Sequence, residues 1–131
     1  MMASLNEDSL FDGNEVEKWL RKLYLDPLTS YLDQTIFRID IFETEQEYIL
    51  EALLSDYQCK DISVYIEDGQ IKIEAVNTDL SEEGKKARTI DFPFKVIEKD
   101  VTATFSDGIL EIFISKIKKG SGKNRFISVL I

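Results

Sequence analysis

Two Asp-Gly pairs, each set between runs in which every second residue is apolar, constrain this chain more than anything else in it. Ile62, Val64 and Ile66 alternate with Ser63, Tyr65 and Glu67, then Asp68-Gly69 intervenes, and Ile71 and Ile73 alternate with Lys72 and Glu74. The pattern recurs downstream. Val101, Ala103 and Phe105 alternate with Thr102 and Thr104, Asp107-Gly108 follows, and Leu110, Ile112 and Ile114 alternate with Glu111 and Ser115. A period of two places one set of side chains on one face of a strand. Asp-Gly between two such runs predicts a hairpin with a type I′ turn, which needs positive φ at both central residues.

Further runs carry the same period. Phe37, Ile39 and Ile41 form one, Tyr48, Leu50 and Ala52 a second, and Thr89–Phe94 a third with Pro93 near its end, as suits a terminating or edge strand. That makes about seven short strands with no helix between them, each apolar on one face, so the faces must bury against one another in a two-sheet, all-β sandwich. The polar stretch Asn77–Lys86 is expected to be an exposed loop.

Ahead of the strands the period is helical. Residues 1–13 are polar and predict a flexible tail. Asn14 is a candidate N-cap with Glu17 completing a capping box, and Pro27 is the expected stop. Val16, Trp19, Leu20 and Leu23 share one face, which packs on its own domain or contacts a partner subunit or client. Leu28, Tyr31 and Leu32 are expected in a linker.

The far end is built differently. Lys116 to Arg125 holds five basic residues and no acid, with Gly120-Ser121-Gly122 in its middle. Phe126-Ile127-Ser128-Val129-Leu130-Ile131 then gives an apolar strip after a flexible polar linker. Such a strip serves to dock into a groove, on its own domain or on another subunit.

Several chemistries have no residues to run on. There is no histidine, so the commonest general base and metal ligand are missing together. Cys59 is the single cysteine, which excludes an intrachain disulfide or a cysteine zinc site; it is expected to be a loop or half-buried thiol. No glycine-rich phosphate loop and no calcium-loop spacing occurs. The expectation is a non-enzyme without cofactor or metal. A net charge of −9 makes nucleic acid and anionic lipid poor partners. Met1–Asp8 is acidic and lacks a long apolar run, so it does not read as a secretory signal, and no stretch approaches a membrane span. The expected location is the cytoplasm.

The same residues resemble a known family. Ala103-Thr104-Phe105-Ser106-Asp107-Gly108-Ile109-Leu110 looks like the A-x-x-x-(N/D)-G-V/I-L motif of the α-crystallin domain of small heat-shock (Hsp20) proteins. Arg88-Thr89-Ile90-Asp91-Phe92-Pro93 is similar to the family's R-x-F-x-L-P, with Arg88 and Pro93 in place and Phe92 where the family has Leu. Ile127-Ser128-Val129 resembles the C-terminal I-x-I/V anchor, and Gly108 and Leu110 complete the first motif. The order and spacing agree over Ile36–Ile131.

The resemblance implies an immunoglobulin-like β-sandwich over residues 36–116. A tail and short helix precede it in 1–35, and a flexible C-terminal extension follows in 117–131. It also implies that Ile127 and Val129 lie in a groove edged by Val64 and Ile66 on one side and by Val101, Ala103 and Phe105 on the other. The alternative for those five is ordinary core. Two departures stand out. Leu53-Leu54-Ser55-Asp56 replaces the family's L-P-G, and Asn77–Lys86 is about half the length of the loop that carries an exchanged strand in most bacterial members. With the N-terminal part, these features look like the small heat-shock-like spore coat branch of bacilli, that of spore coat protein M. The implied role is a non-catalytic, ATP-independent holdase or assembly component that forms a homo-oligomer and binds partly unfolded clients or other coat proteins, with deposition in the spore coat. The alternatives are a general stress holdase and a monomeric CS/p23-like cochaperone adaptor.

Overall fold

The computed structural model describes residues 7–79 and 84–131, with side chains from Glu15 onward. Two helices lead, α1 (Glu7–Leu25) and α2 (Pro27–Thr35). Seven strands follow: β1 (Ile39–Glu43), β2 (Glu47–Leu53), β3 (Ile62–Glu67), β4 (Gln70–Val76), β5 (Lys85–Asp91), β6 (Lys99–Ser106) and β7 (Ile109–Lys119). Two short strands end the chain, β8 (Arg125–Ile127) and β9 (Val129–Leu130).

The strands form two sheets, one ordered β1-β2-β7-β6-β9 and the other β5-β4-β3-β8. Every pairing is antiparallel except β6 with β9. Alternation turns directly into burial. Leu50, Ala52, Leu110, Ile112 and Ile114 from the first sheet and Val64, Ile66, Ile71, Ile73 and Ala75 from the second are fully buried in one core. Each fully buried Ile or Leu contributes about 1.5–3 kcal/mol relative to exposure. The expected all-β sandwich is what the chain forms.

Several local expectations need correction. The helix does not start at an Asn14 cap. Its backbone is already helical from Glu7 and runs through Gly13 and Asn14, so part of the expected tail is helix; residues 1–6 lie outside the described residues. The expected linker at Leu28, Tyr31 and Leu32 is helix α2. Pro27 stops α1 but also opens α2 at its first turn, where its missing N–H costs nothing, and the Asp26 carboxylate caps Leu28 N–H at 2.9 Å. Strand β5 begins at Lys85, inside the expected loop, and ends before Pro93; residues 80–83 of that loop lie outside the described residues. The two Asp-Gly turns also differ. Asp107 and Gly108 both have positive φ (53° and 78°), as type I′ requires. At the first turn positive φ is confined to Asp68, so Asp68-Gly69 is not type I′.

Across the outer face of the first sheet, Asp40 lies opposite Glu51 and Glu51 opposite Glu111. Glu51 is held above the usual carboxylate range, chiefly by burial, then by the Glu111 charge and a hydrogen bond with Glu111, and last by Asp40.

Candidate functional site: two seams closed by the chain ends

A two-sheet sandwich has two open sides. Here one lies between β3 and β6, the other between β1 and β5.

The C-terminal segment closes the first. Strand β8 adds to β3, with Ile127 opposite Val64 and Arg125 opposite Ile66, and β9 adds to β6, with Val129 opposite Ala103. The two strands thus extend both sheets. Ile127 and Val129 point inward and pack, half-buried, on the core. Ser128 between them is exposed. Of the expected groove residues, Val64 and Ile66 lie on β3 and Val101, Ala103 and Phe105 on β6, all buried, and Val64, Ile66 and Ala103 stand directly opposite strap residues. All five belong to the buried core. In the segment expected as a flexible extension, the strap is seated by specific contacts. Arg125 adds two side-chain bonds to the body and two within the segment itself. Its Nη1 donates to Ile97 O (3.1 Å), Lys123 O (3.0 Å) and Ser121 Oγ (3.2 Å), and its Nη2 donates to Lys99 O (3.0 Å). The sequence puts Arg125 at the end of a basic tail, with no partner assigned to it. The only available signal was its position immediately before the apolar strip. Half-buried Cys59 also touches the strap, with Sγ 3.5 Å from Val129 O. Phe126 faces outward, 70% exposed, against the Tyr65 ring.

The N-terminal helices close the second side. Val16 is 2% exposed, and Trp19, Leu20 and Leu23 pack partly buried on the core. The face left open between two readings therefore lies on its own sandwich. Trp19 Nε1 donates to Asp91 O (2.7 Å), and its ring meets Phe92 at 5.0 Å. Arg88 of β5 points inward and is only 7% exposed. Its Nη1 reaches Asp33 Oδ1 of α2 (2.6 Å) and Phe37 O (2.9 Å), which pins the helices to the sheet. Pro93 follows β5, half-buried.

The same helices finish the free edge of β1. Thr44 N–H bonds to Glu47 O, so even-numbered residues of β1 face β2 and Ile39 and Ile41 face away. The Tyr24 hydroxyl donates to Ile41 O and accepts from Ile41 N, each at 2.9 Å, and Asp33 Oδ1 accepts from Ile39 N at 3.3 Å. Side chains thus stand where another strand would pair, a recognised way of blunting a sheet edge. Tyr24 and Asp33 were not singled out from the sequence, because their roles depend on where α1 and α2 land.

Of the motif residues, Ala103 is small where β9 crosses β6, Gly108 makes the turn, and Leu110 is fully buried at the start of β7. A match to the Hsp20/alpha crystallin family extends over residues 40–130. The chain belongs to the Hsp20/alpha crystallin family. It is 30% identical to small heat shock protein C2 of Rickettsia felis over 98% of this chain and 88% of that one. It is 27% identical to spore coat protein M of Bacillus subtilis over 87% and 85%. Among solved structures it resembles the Del-C4 mutant of hsp14.1 from Sulfolobus solfatataricus P2, with 26% identity, a TM-score of 0.53, and 76% of this chain and 95% of that chain covered.

As an Hsp20-family protein it is non-catalytic, and its family supports a chaperone-like function. Among the described residues, no helix is long and apolar enough to cross a membrane, and no group of three or more His, Cys, Asp or Glu is placed to hold a metal. The apolar strip was expected to dock on its own domain or on another subunit, and within this single chain it docks on its own. The strap follows β7 after a short turn, so its own slot sees it at an effective concentration on the order of millimolar.

Proposed function

We propose that the chain is an ATP-independent holdase and assembly component that works by exchanging its terminal strand. The observation that carries this reading is the seating of residues 125–130 as an added strand across both sheets. A slot that accepts one extended apolar strip by backbone pairing accepts others of the same pattern. Its occupants would be the strap of a second copy, giving a homo-oligomer, and exposed apolar segments of partly unfolded clients or other coat proteins. The net charge of −9 keeps such complexes soluble. Similarity to spore coat protein M supports deposition in the spore coat. Similarity to small heat shock protein C2 over nearly the whole chain supports a second reading, a general stress holdase.

The test is light scattering after size exclusion on the full chain, on a chain ending at Lys119, and on Arg125→Ala. The full chain is expected in large or polydisperse assemblies, and the shortened chain in smaller ones. Arg125→Ala removes the two charged-donor bonds that tie the strap to the body, to Ile97 O and Lys99 O, worth about 1–2 kcal/mol in all at this half-exposed site, so it should weaken strap docking roughly 5- to 30-fold. Unchanged size in both variants refutes strand exchange, and a discrete monomer at every concentration favours the adaptor reading. Protection of a heat-labile client at substoichiometric amounts separates the stress holdase from a purely structural coat protein.

A further inference from the structure

The registers of the first sheet set parallel rows of side chains across its outer face. Phe42, Ile49 and Phe113 form one row. Asp40, Glu51 and Glu111 form the next, and Leu53 and Ile109 a third beyond it. Apolar side chains thus flank a row of carboxylates on both sides, and they stand open to solvent: Phe42 is 49% exposed, Leu53 51% and Ile109 38%.

Charge on this face is one-sided. Its acids are Asp40, Glu47, Glu51 and Glu111. Its one cation among the described residues is Arg38, opposite Leu53, and Asp40 already holds it at 3.0 Å. Glu47, Glu51 and Glu111 meet no cation among the described residues.

The far end of β7 has the opposite character. No acid occurs between Lys116 and Arg125. Lys116 is taken by Glu43 (2.6 Å), and Arg125 by backbone carbonyls. Lys118 and Lys119 are exposed and form no ion pair among the described residues, and Ile117 beside them is 69% exposed. Across the ladder Lys119 faces another cation, Lys99. The other acids of this end, Glu45, Glu98 and Asp100, pair with neither Lys118 nor Lys119. Unpaired acid and unpaired base therefore sit at the two ends of a single strand, about 26 Å apart at the usual rise.

We propose that this face binds a second copy of the chain about a two-fold axis that crosses β7 midway between Glu111 and Lys119. The axis brings each copy's Lys118 and Lys119 to the other's Glu51 and Glu111, and sets Ile117 of one against Phe113 of the other. Each contact is then made twice, as a closed two-fold interface requires. Registers that stack carboxylate row on carboxylate row are repelled, so the charges select this one. The contact uses no residue of 125–130. It goes beyond strand exchange and would join copies whose straps stay in their own slots.

Two full-length variants test it by sedimentation at low salt. One carries Glu51→Lys with Glu111→Lys, the other Lys118→Glu with Lys119→Glu. Each alone should self-associate about tenfold more weakly or worse. Mixed in equal amounts they should associate nearly as the wild type does, because the reversed face of one meets the reversed strand end of the other, and the unreversed parts still match. Circular dichroism checks that each is folded. The milder pair Glu51→Gln with Glu111→Gln should weaken association while raising stability, opposite signs that a purely structural role would not give. Unchanged association in either reversed variant, or a mixture that associates no better than its components, overturns the proposal. Loss in the acid-reversed variant alone would assign the face to another cationic partner and overturns it too. Arg125→Ala leaves all four charged residues in place, so failure of strand exchange leaves this pair standing and the two readings stay separable.

Discussion

Replacing Gly108 with alanine should cost this fold several times more than the same change at Gly69, although both follow an aspartate in a hairpin. At Gly108 two penalties coincide. The backbone sits at φ 78°, where a side chain costs about 1–2 kcal/mol. An added Cβ would also lie 2.9 Å from Ser55 Cα and 3.1 Å from Ser55 Cβ. Ser55 belongs to the segment held by Leu54 N–H to Gly108 O (2.8 Å), so retreat would strain that bond. Overpacking of this kind adds about 1–3 kcal/mol. The sum is about 2–5 kcal/mol, which at a urea slope near 2 kcal/mol/M moves the midpoint down by about 1–2.5 M. Gly69 lies outside the left-handed region, and its added Cβ would meet Phe94 O at 3.0 Å. That single tight contact should cost about 1 kcal/mol or less, roughly 0.5 M. Urea unfolding followed by far-UV circular dichroism at matched protein concentration measures both. Equal shifts, or a Gly108→Ala shift below about 0.5 M, would refute the argument from turn geometry and the Ser55 contact.

Two further outcomes are expected. Tyr24→Phe removes both hydrogen bonds to Ile41 and bares that stretch of the β1 edge, so it should lower stability by about 1–2 kcal/mol and raise edge-to-edge association, read as thermal midpoint and scattered light. Glu51→Gln relieves a like-charge row and should add about 0.2–1 kcal/mol at neutral pH. The sign follows from the raised Glu51 pKa: the folded state holds the proton more tightly than the unfolded chain. The wild-type penalty is therefore present at neutral pH and fades as pH falls through that raised value. A gain that persists in acid would contradict it.

The sandwich was legible because its strands announce themselves locally. Ile71 and Ile73, or Ile112 and Ile114, need only a period of two to show which face they bury. The C-terminal strip was legible for the same reason, as Ile127 and Val129 keep that period after a polar linker. Which slot it enters depends on chain connection, and the anchoring by Arg125 depends on carbonyls of Ile97 and Lys99 that sequence cannot place nearby. Helix α2 was hidden because Pro27 signals both the end of one helix and the start of another. Tyr24 and Asp33 carry no local signature, since a tyrosine and an aspartate on a helix become edge caps only once β1 lies beside them. That a Cβ added at Gly108 would meet Ser55 depends on a neighbour far away in the chain, which the matching Asp-Gly pairs do not reveal.

Tyr24 and Asp33 finish β1 with side chains rather than with a strand, and that choice has a mechanical result. A strand partner zips along a whole edge and leaves only when many bonds break together, whereas a hydroxyl and a carboxylate let go one at a time. The helices over the β1–β5 side can therefore loosen in small steps while the core stays intact, so warming would uncover that seam gradually instead of by wholesale melting.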